Sequence, residues 1–211
     1  MFLVTAKHVL APLKNGSDLY VYSKPDQKRH LGGELAWSTS DVLDVGVLMM
    51  DGEGVPPFPE VNCEPLPSGL LAPSDTLEEG RWYFTAGYPG TKSKANKQTK
   101  VVKAQPYGNL GPSISAERMT KLGLDFTTHI ALAFHKRRVF GVSGKVESSP
   151  DPGGMSGSPL YLIYDLSKSA EEQGAFRVAG TLIEYRAKDQ VLLGTGIKVA
   201  LRLMNSLLGD A

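Results

Sequence analysis

A short segment rich in small residues contains the serine best suited to nucleophilic chemistry. Residues 153–159 read GGMSGSP, with Ser156 at the centre, and an apolar run at residues 160–164 follows directly. A serine nucleophile needs an exposed hydroxyl on a tight turn, with backbone N–H groups free to hold a developing oxyanion. Glycine allows such a turn and a close approach of substrate. The segment predicts a nucleophile at the mouth of a buried strand, although taken alone it fits an ordinary Gly/Ser loop equally well.

Two residues upstream could activate this serine. His8 follows an apolar run at residues 2–6, and Asp44 stands at the head of another at residues 45–50. A serine hydroxyl is a weak nucleophile until a base takes its proton, and the base needs an acid to hold its tautomer. Taken singly, a histidine in this setting is more often a packed structural residue. An acid heading a buried strand also needs a partner. Along the sequence, the candidate base His8 comes first, the candidate acid Asp44 second and the candidate nucleophile Ser156 last.

The composition indicates a globular protein rich in turns. The chain has 211 residues, of which 41% are hydrophobic and 21% charged, and its formal net charge is +1. This charge gives no electrostatic case for binding nucleic acid or an anionic membrane, and no apolar run is long enough to span a membrane. The single cysteine, Cys63, fits a reducing compartment, which predicts a cytoplasmic protein, or a secreted bacterial protein without disulfides. The 23 glycines and 14 prolines, combined with short apolar runs, favour an all-β fold.

The apolar runs predict a series of short strands in two halves. They lie at residues 2–6, 19–22, 35–37, 44–50, 81–86, 101–104, 126–134, 139–146, 160–164, 176–183 and 190–193. A helical turn is predicted at residues 7–10 and an amphipathic helix at about 198–208, whereas the segment 112–125 stays ambiguous, with a short helix near 116–122 as one interpretation. The Pro- and Gly-rich segment 51–80 is the best linker candidate, and it predicts halves at residues 1–75 and 76–211.

Taken together, these motifs resemble those of the trypsin-like, chymotrypsin-fold serine peptidases. In style the chain is most similar to the bacterial disulfide-free Deg/HtrA-like members. TAKH at residues 5–8 resembles the Thr-Ala-x-His motif, DVGV at 44–47 the Asp-Ile-Ala-Leu type, and GMSGSP at 154–159 the Gly-x-Ser-Gly-Gly-Pro motif. Residues 80–89 and 176–197 resemble the first strand of the second barrel and the strands that frame the specificity pocket. The resemblance covers nearly the whole chain and implies two antiparallel, six-stranded-type β-barrels with a C-terminal helix.

The resemblance also implies roles for individual residues. His8 would be the general base, Asp44 its orienting acid and Ser156 the nucleophile, with the backbone N–H groups of Gly154 and Ser156 as the oxyanion hole. Asp41 is an alternative acid, but Asp44 directly precedes its apolar run, as the acid of the family does. The implied activity is a serine endopeptidase that hydrolyses peptide bonds through an acyl-enzyme. It would need no cofactor or metal, and its partner would be a peptide or protein substrate.

A further set of residues is expected around the substrate. Pro150 falls at the pocket floor, where trypsin carries an aspartate, and Asp151 lies beside it; specificity for Lys or Arg is therefore not supported. Ile183 stands where many family members have a serine near the acid. Glu184 and Gly194 complete the expected substrate-binding set.

One departure from the family concerns the first barrel. The family places about two strands before the histidine strand, and this sequence has none before residues 2–6. We therefore expect an incomplete, N-terminally truncated first barrel, with exposed apolar side chains on the strand that carries His8. The alternative function is a catalytically inactive fold that serves as a binding or scaffold module. A metallopeptidase is disfavoured because the sequence contains no His-Glu-x-x-His motif.

Overall fold

The chain folds into two antiparallel β-sheets and a C-terminal helix. The structure is a computed structural model that describes residues 1–16, 19–24, 27–31, 36–50, 65–72, 79–95, 102–137, 139–140, 146–167 and 176–209. The all-β, chymotrypsin-like architecture predicted from the sequence is confirmed.

The first half contains a three-stranded sheet and a hairpin. Its strands are β1 (Phe2–Ala6), β2 (Leu19–Lys24), β3 (Gln27–Leu31), β4 (Ala36–Ser40) and β5 (Val45–Met49). The sheet order is β1-β5-β4, and β2 pairs with β3. In the register of β1 and β5, Thr5 lies opposite Gly46 and Ala6 opposite Val45. Because the pairing is antiparallel, the residues just after β1 lie beside those just before β5.

The second half is built on a six-stranded sheet. In the described residues its strands are β6 (Trp82–Gly87), β7 (Ser93–Ala95), β8 (Val102–Ala104), β9 (Tyr107–Pro112), β10 (His129–Ala133), β11 (Val139–Phe140), β12 (Val146–Glu147), β13 (Pro159–Ile163), β14 (Phe176–Arg186) and β15 (Val191–Gly196). The sheet order is β10-β15-β14-β13-β6-β9, and β7–β8 and β11–β12 form two small hairpins. Alternate residues of β13 point into the core, where Leu160 and Leu162 are fully buried.

Three α-helices complete the described structure. They are α1 (Lys7–Leu10), α2 (Ala116–Lys121) and α3 (Ile197–Gly209), and a 3₁₀ turn follows α1 at Ala11–Asn15. The Ser115 hydroxyl caps α2 by accepting from the N–H of Arg118, which decides the ambiguous segment in favour of a helix. Helix α3 buries Val199 and Ala200 in a cluster with Val45 and Val47 of β5. The last helix therefore leaves the second sheet and packs on the first.

The first half differs from a closed six-stranded barrel. Within the described residues, β1 pairs with β5 alone, and Phe2, Leu3 and Val4 are only partly buried. These apolar side chains are less buried than core residues, but they are not fully exposed as expected, because Phe2 and Val4 pack against the cluster around β5 and α3 and Leu3 packs against the cluster that contains Leu10. Most of the predicted linker lies outside the described residues, at 51–64 and 73–78, so the division at residue 75 stays a prediction.

Some strand predictions were incomplete. The strand β9 lies in a segment where no strand was predicted; a Cβ at Gly108 would lie 2.8 Å from the ring of Phe84 on the facing strand, so its glycine serves close packing. The strand predicted at 126–134 begins only at His129, because Asp125 accepts from the N–H of Thr127 and holds a turn before it.

Candidate active site

The register of the first sheet brings His8 and Asp44 together across 36 residues of sequence. Nδ1 of His8 lies 2.7 Å from Oδ2 of Asp44, and the backbone N–H of His8 donates to Oδ1 of the same carboxylate at 3.2 Å. Both side chains reach solvent, with 52% of the His8 side chain and 34% of the Asp44 side chain exposed. This two-point contact holds the imidazole with its Nε2 free to act on another group.

The backbone of Asp44 is held in an unusual conformation. Its φ of 46° lies in the left-handed region, which aspartate tolerates better than most residues. The carbonyl of Asp44 accepts from the N–H of Lys7 at 2.9 Å, so the turn before β5 is tied to the start of α1. The strained turn thereby aims the carboxylate at His8.

The alternative acid, Asp41, has a different partner. Its carboxylate lies 2.6 Å from Nζ of Lys7 at the surface. The hydrogen bond from Lys7, strengthened by the lysine charge, lowers the pKa of Asp41 below its ordinary value. The described contacts therefore place Asp44, and not Asp41, against the imidazole.

The serine turn is shaped by two glycines in left-handed conformations. Gly154 has φ of 93° and Gly157 has φ of 92°, values that L side chains rarely adopt. A Cβ on Gly154 would lie 2.8 Å from the backbone nitrogen of Gly90, whose N–H donates to the carbonyl of Gly153 at 2.7 Å. The loop after β6 therefore supports the turn from one side. The buried side chain of Met155 anchors it in the core.

The hydroxyl of Ser156 is directed at a backbone carbonyl. Its Oγ donates to the carbonyl of Ile183 on β14 at 3.0 Å. Among the hydrogen bonds of the described residues, none joins Ser156 to His8. The structure thus brings His8 to Asp44 and leaves Ser156 on a separate partner. Transfer of the Ser156 proton to His8 requires the hydroxyl to turn away from Ile183.

Two backbone N–H groups of the turn have no protein acceptor among the described residues. The N–H groups of Met155, Gly157 and Ser158 donate to carbonyls at 2.8–3.0 Å, and that of Gly153 donates to the Asp151 carboxylate at 3.0 Å. Those of Gly154 and Ser156 donate to no acceptor in the described part of the chain. Two unpaired donors beside a serine hydroxyl can stabilise a developing oxyanion.

A cavity of about 400 Å³ opens beside the serine, between the two halves. It is lined by β1 and α1 on one side and by the end of β6 and the serine turn on the other. Its lining residues are Leu3, Val4, Thr5, Val9, Leu10, Ala86, Gly87, Tyr88, Gly154, Ser156, Gly157, Ser158 and Pro159. The serine turn therefore faces a space that an extended chain can enter.

The five residues expected around the substrate differ from one another in burial and in bonding partners. Pro150 is partly buried, and Asp151 lies 3.0 Å from Nζ of Lys136. Ile183 is buried and offers its carbonyl to Ser156, whereas Glu184 is exposed and bound by Arg186. Gly194 is packed within the sheet, where a Cβ would meet Leu160 and the carbonyl of Thr181.

A second cavity, of about 500 Å³, was not anticipated from the sequence. It is lined by His135, Lys136, Arg137, Tyr185, Ala187 and Gln190. The run HKRR at residues 135–138 was its available signal. That run could not be connected to Tyr185 without the tertiary structure.

The described residues show no sign of a metal site or a membrane helix. Among them, no group of three or more His, Cys, Asp or Glu side chains is arranged to hold a metal ion. In the same part of the chain, no helix has the length and apolar character needed to cross a lipid bilayer.

Comparison with known proteins gives a structural match but no sequence match. No protein-family model matches the chain, and no curated protein matches it. Among solved structures, the chain is similar to a Glu endopeptidase in complex with MPD, with a TM-score of 0.51 and 13% sequence identity. The match covers 97% of this chain and 80% of that one. At this identity the likeness shows the fold, which is chymotrypsin-like.

Proposed function

We propose that this protein is a serine endopeptidase that cleaves peptide bonds through an acyl-enzyme on Ser156. The observation that carries the proposal is the serine turn, in which the N–H groups of Gly154 and Ser156 have no acceptor among the described residues. Two adjacent donors that no protein acceptor occupies are available to stabilise an oxyanion beside the serine hydroxyl. The chymotrypsin-like fold and the His8–Asp44 contact support the same reaction.

The proposed reaction assigns one task to each group. The Oγ of Ser156 leaves the Ile183 carbonyl and attacks the substrate carbonyl carbon while Nε2 of His8 takes its proton. The N–H groups of Gly154 and Ser156 donate to the oxyanion, and the Asp44 carboxylate stabilises the imidazolium. His8 then returns the proton to the leaving amine as the C–N bond breaks. Water, activated by His8, hydrolyses the resulting ester and restores Ser156.

The finer assignments remain proposals that rest on the motifs. The similarity of TAKH, DVGV and GMSGSP to the disulfide-free bacterial Deg/HtrA-like peptidases favours that type. The proposed cytoplasmic location rests on the single cysteine of the sequence.

The proposal is tested by labelling with a fluorophosphonate probe, which reacts with activated serines. We expect the wild-type protein to be labelled at Ser156, as located by peptide mass mapping, and the variants Ser156→Ala and His8→Ala to lose the label. Ser206→Ala, which removes an exposed hydroxyl on α3, is the matched control and should label normally. A wild-type protein that does not react, or a Ser156→Ala variant that labels equally, would contradict the proposal.

One observation favours a second candidate function. The Ser156 hydroxyl is bound to the Ile183 carbonyl and not to His8, which is the arrangement expected of a serine that is not activated. The chain would then be an inactive chymotrypsin-like module that binds peptides in the cleft. Such a module would bind peptides without any labelling of Ser156.

A further inference from the structure

Among the described residues, the lining of the second cavity is basic and includes no acidic side chain. It contains His135, Lys136 and Arg137, and its other polar groups are Tyr185 and Gln190. Nδ1 of His135 is in hydrogen-bond contact with Oε1 of Gln190, which fixes the ring at the wall. The three basic residues are exposed to solvent and directly follow the buried Phe134, which comes after β10. A cavity of about 500 Å³ with such a lining can accept an acidic group of the size of an amino-acid side chain.

Two connections link the lining of this cavity to the serine turn. Tyr185 lies two residues after Ile183 on β14, and the Ile183 carbonyl accepts from the Ser156 hydroxyl. Lys136 lies 3.0 Å from Asp151, whose other carboxylate oxygen accepts from the N–H of Gly153 in the serine turn. The cavity and the proposed nucleophile therefore share both a strand and a loop.

The charges around the cavity favour an anion. Among the described residues, the acid that forms an ion pair with the lining is Asp151, and that carboxylate is already bound by Lys136 and Gly153. Glu184 is compensated by Arg186. Arg137 forms no ion pair with the described residues, so its charge is available to a ligand. Arginine binds carboxylates through two parallel N–H groups, which makes it the best placed side chain for this task.

We propose that this cavity binds the side-chain carboxylate of a glutamate or aspartate residue next to the peptide bond that Ser156 cleaves. The proposal rests on the proposed peptidase function for its position in the substrate, whereas the anion preference rests on the lining alone. Asp151 is therefore not expected to bind a basic side chain of the substrate, because Lys136 already neutralises the charge of its carboxylate.

Binding is tested first, without catalysis, in the Ser156→Ala variant. Three acetylated tripeptides are titrated by NMR: one ending in Glu-amide, one in Gln-amide, and one in Gln with a free terminal carboxylate. We expect the Glu-amide peptide to bind at least tenfold more tightly than the Gln-amide peptide. Equal affinities for these two would overturn the proposal. Tighter binding of the free-carboxylate peptide than of the Glu-amide peptide would overturn the assignment to a side chain.

Variants then locate the effect. Arg137→Gln should abolish the preference for Glu over Gln, Arg137→Lys should keep part of it, and Lys121→Gln on α2 should leave it unchanged. Loss of affinity for both peptides alike in Arg137→Gln would contradict a carboxylate contact. Thermal unfolding of each variant shows whether it is folded. If Arg137→Gln is destabilised, the Glu-over-Gln preference measured for Arg137→Lys decides whether Arg137 binds the carboxylate.

Catalysis separates this proposal from the proposed function. In the wild-type protein, kcat/KM should favour Glu over Gln substrates by the same factor as binding. Selective binding of Glu peptides without fluorophosphonate labelling would support the proposed pocket and contradict the proposed peptidase function. Labelling combined with equal cleavage of Glu and Gln substrates would support the peptidase function and contradict the proposed pocket.

Discussion

The Asp44 carboxylate binds His8 with both of its oxygens. One oxygen accepts from the histidine backbone and the other contacts the ring, so the orientation of the imidazole depends on a single side chain. Asp41, three residues earlier, is bound to Lys7 instead. The two acids therefore form a matched pair in which one contacts the proposed base and the other does not.

Replacing Asp44 by asparagine should lower kcat by about 10⁴-fold, because an amide favours the wrong imidazole tautomer and does not stabilise the imidazolium. The equivalent change Asp41→Asn should leave kcat unchanged. Steady-state kinetics on a peptide substrate measures both. A larger loss in Asp41→Asn than in Asp44→Asn would exchange the roles of the two acids.

Asp151 should make stability depend on pH. The hydrogen bond from the N–H of Gly153 lowers the pKa of Asp151 below its ordinary value of 3.8, and the hydrogen bond and charge of Lys136 lower it as well. A lowered folded-state pKa contributes stability that is present above the unfolded pKa and is lost as the pH falls through the folded one. We expect Asp151→Asn to be less stable than wild type at pH 6 and the difference to vanish in strong acid.

Urea unfolding of the two proteins at a series of pH values measures this dependence. Lys136→Gln is the informative control, since it removes the lysine charge and leaves the Gly153 hydrogen bond, so that part of the acid sensitivity should remain. A stability difference between wild type and Asp151→Asn that is the same at every pH would show that the carboxylate charge is not involved.

At the scale of elements, the position of the serine turn depends on its contact with β1. A Cβ on Gly157 would overlap the hydroxyl of Thr5, and the Gly157 N–H donates to the Leu182 carbonyl at 2.8 Å. The turn is thus packed between the histidine strand of the first sheet and β14 of the second. Thr5 and Gly157 lie far apart in sequence but pack so closely that no side chain fits at position 157.

Gly157→Ala should therefore destabilise the fold more than a comparable glycine substitution elsewhere. Gly123 is the matched control: its φ of 67° is also left-handed, but no neighbouring atom lies within 4 Å of the position that an alanine Cβ would take there. We expect about 1 kcal/mol for Gly123→Ala and an additional cost of roughly 1–3 kcal/mol, typical of overpacking, for Gly157→Ala. Urea denaturation measures the free energy of unfolding of both variants. Equal decreases would show that Thr5 moves aside for the alanine side chain at no energetic cost.

At the scale of the whole molecule, helix α3 and a buried hydroxyl also join the two halves. Helix α3 packs on β5, and the buried hydroxyl of Thr195 donates to the carbonyl of Leu43 at 2.6 Å across 152 residues of sequence. Leu43 directly precedes Asp44. The second sheet therefore holds the turn that presents the acid to His8.

Thr195→Val should reduce the free energy of unfolding by about 1–3 kcal/mol, because it leaves the Leu43 carbonyl without its donor. We also expect a loss of kcat, since the Asp44 turn loses its support. Thr195→Ser keeps the hydroxyl and should retain most of kcat. If the valine variant lost stability but kept full kcat, the bond would tie the halves without positioning the acid.

The sequence by itself determined the elements whose signals are local. Apolar runs predicted most strands, and glycines 154 and 157 marked a turn because only glycine adopts its backbone readily. The order of the motifs predicted the fold class, which the structure confirms. The same motifs named His8, Asp44 and Ser156 as the candidate residues for chemistry.

Only the tertiary structure decided what those residues contact. The register of β1 and β5 sets the distance between His8 and Asp44, and β14 supplies the carbonyl that holds Ser156. The basic cavity likewise exists only because β14 brings Tyr185 to the residues that follow β10. Such contacts depend on strand pairing over long sequence separations, and no local pattern of residues encodes that pairing.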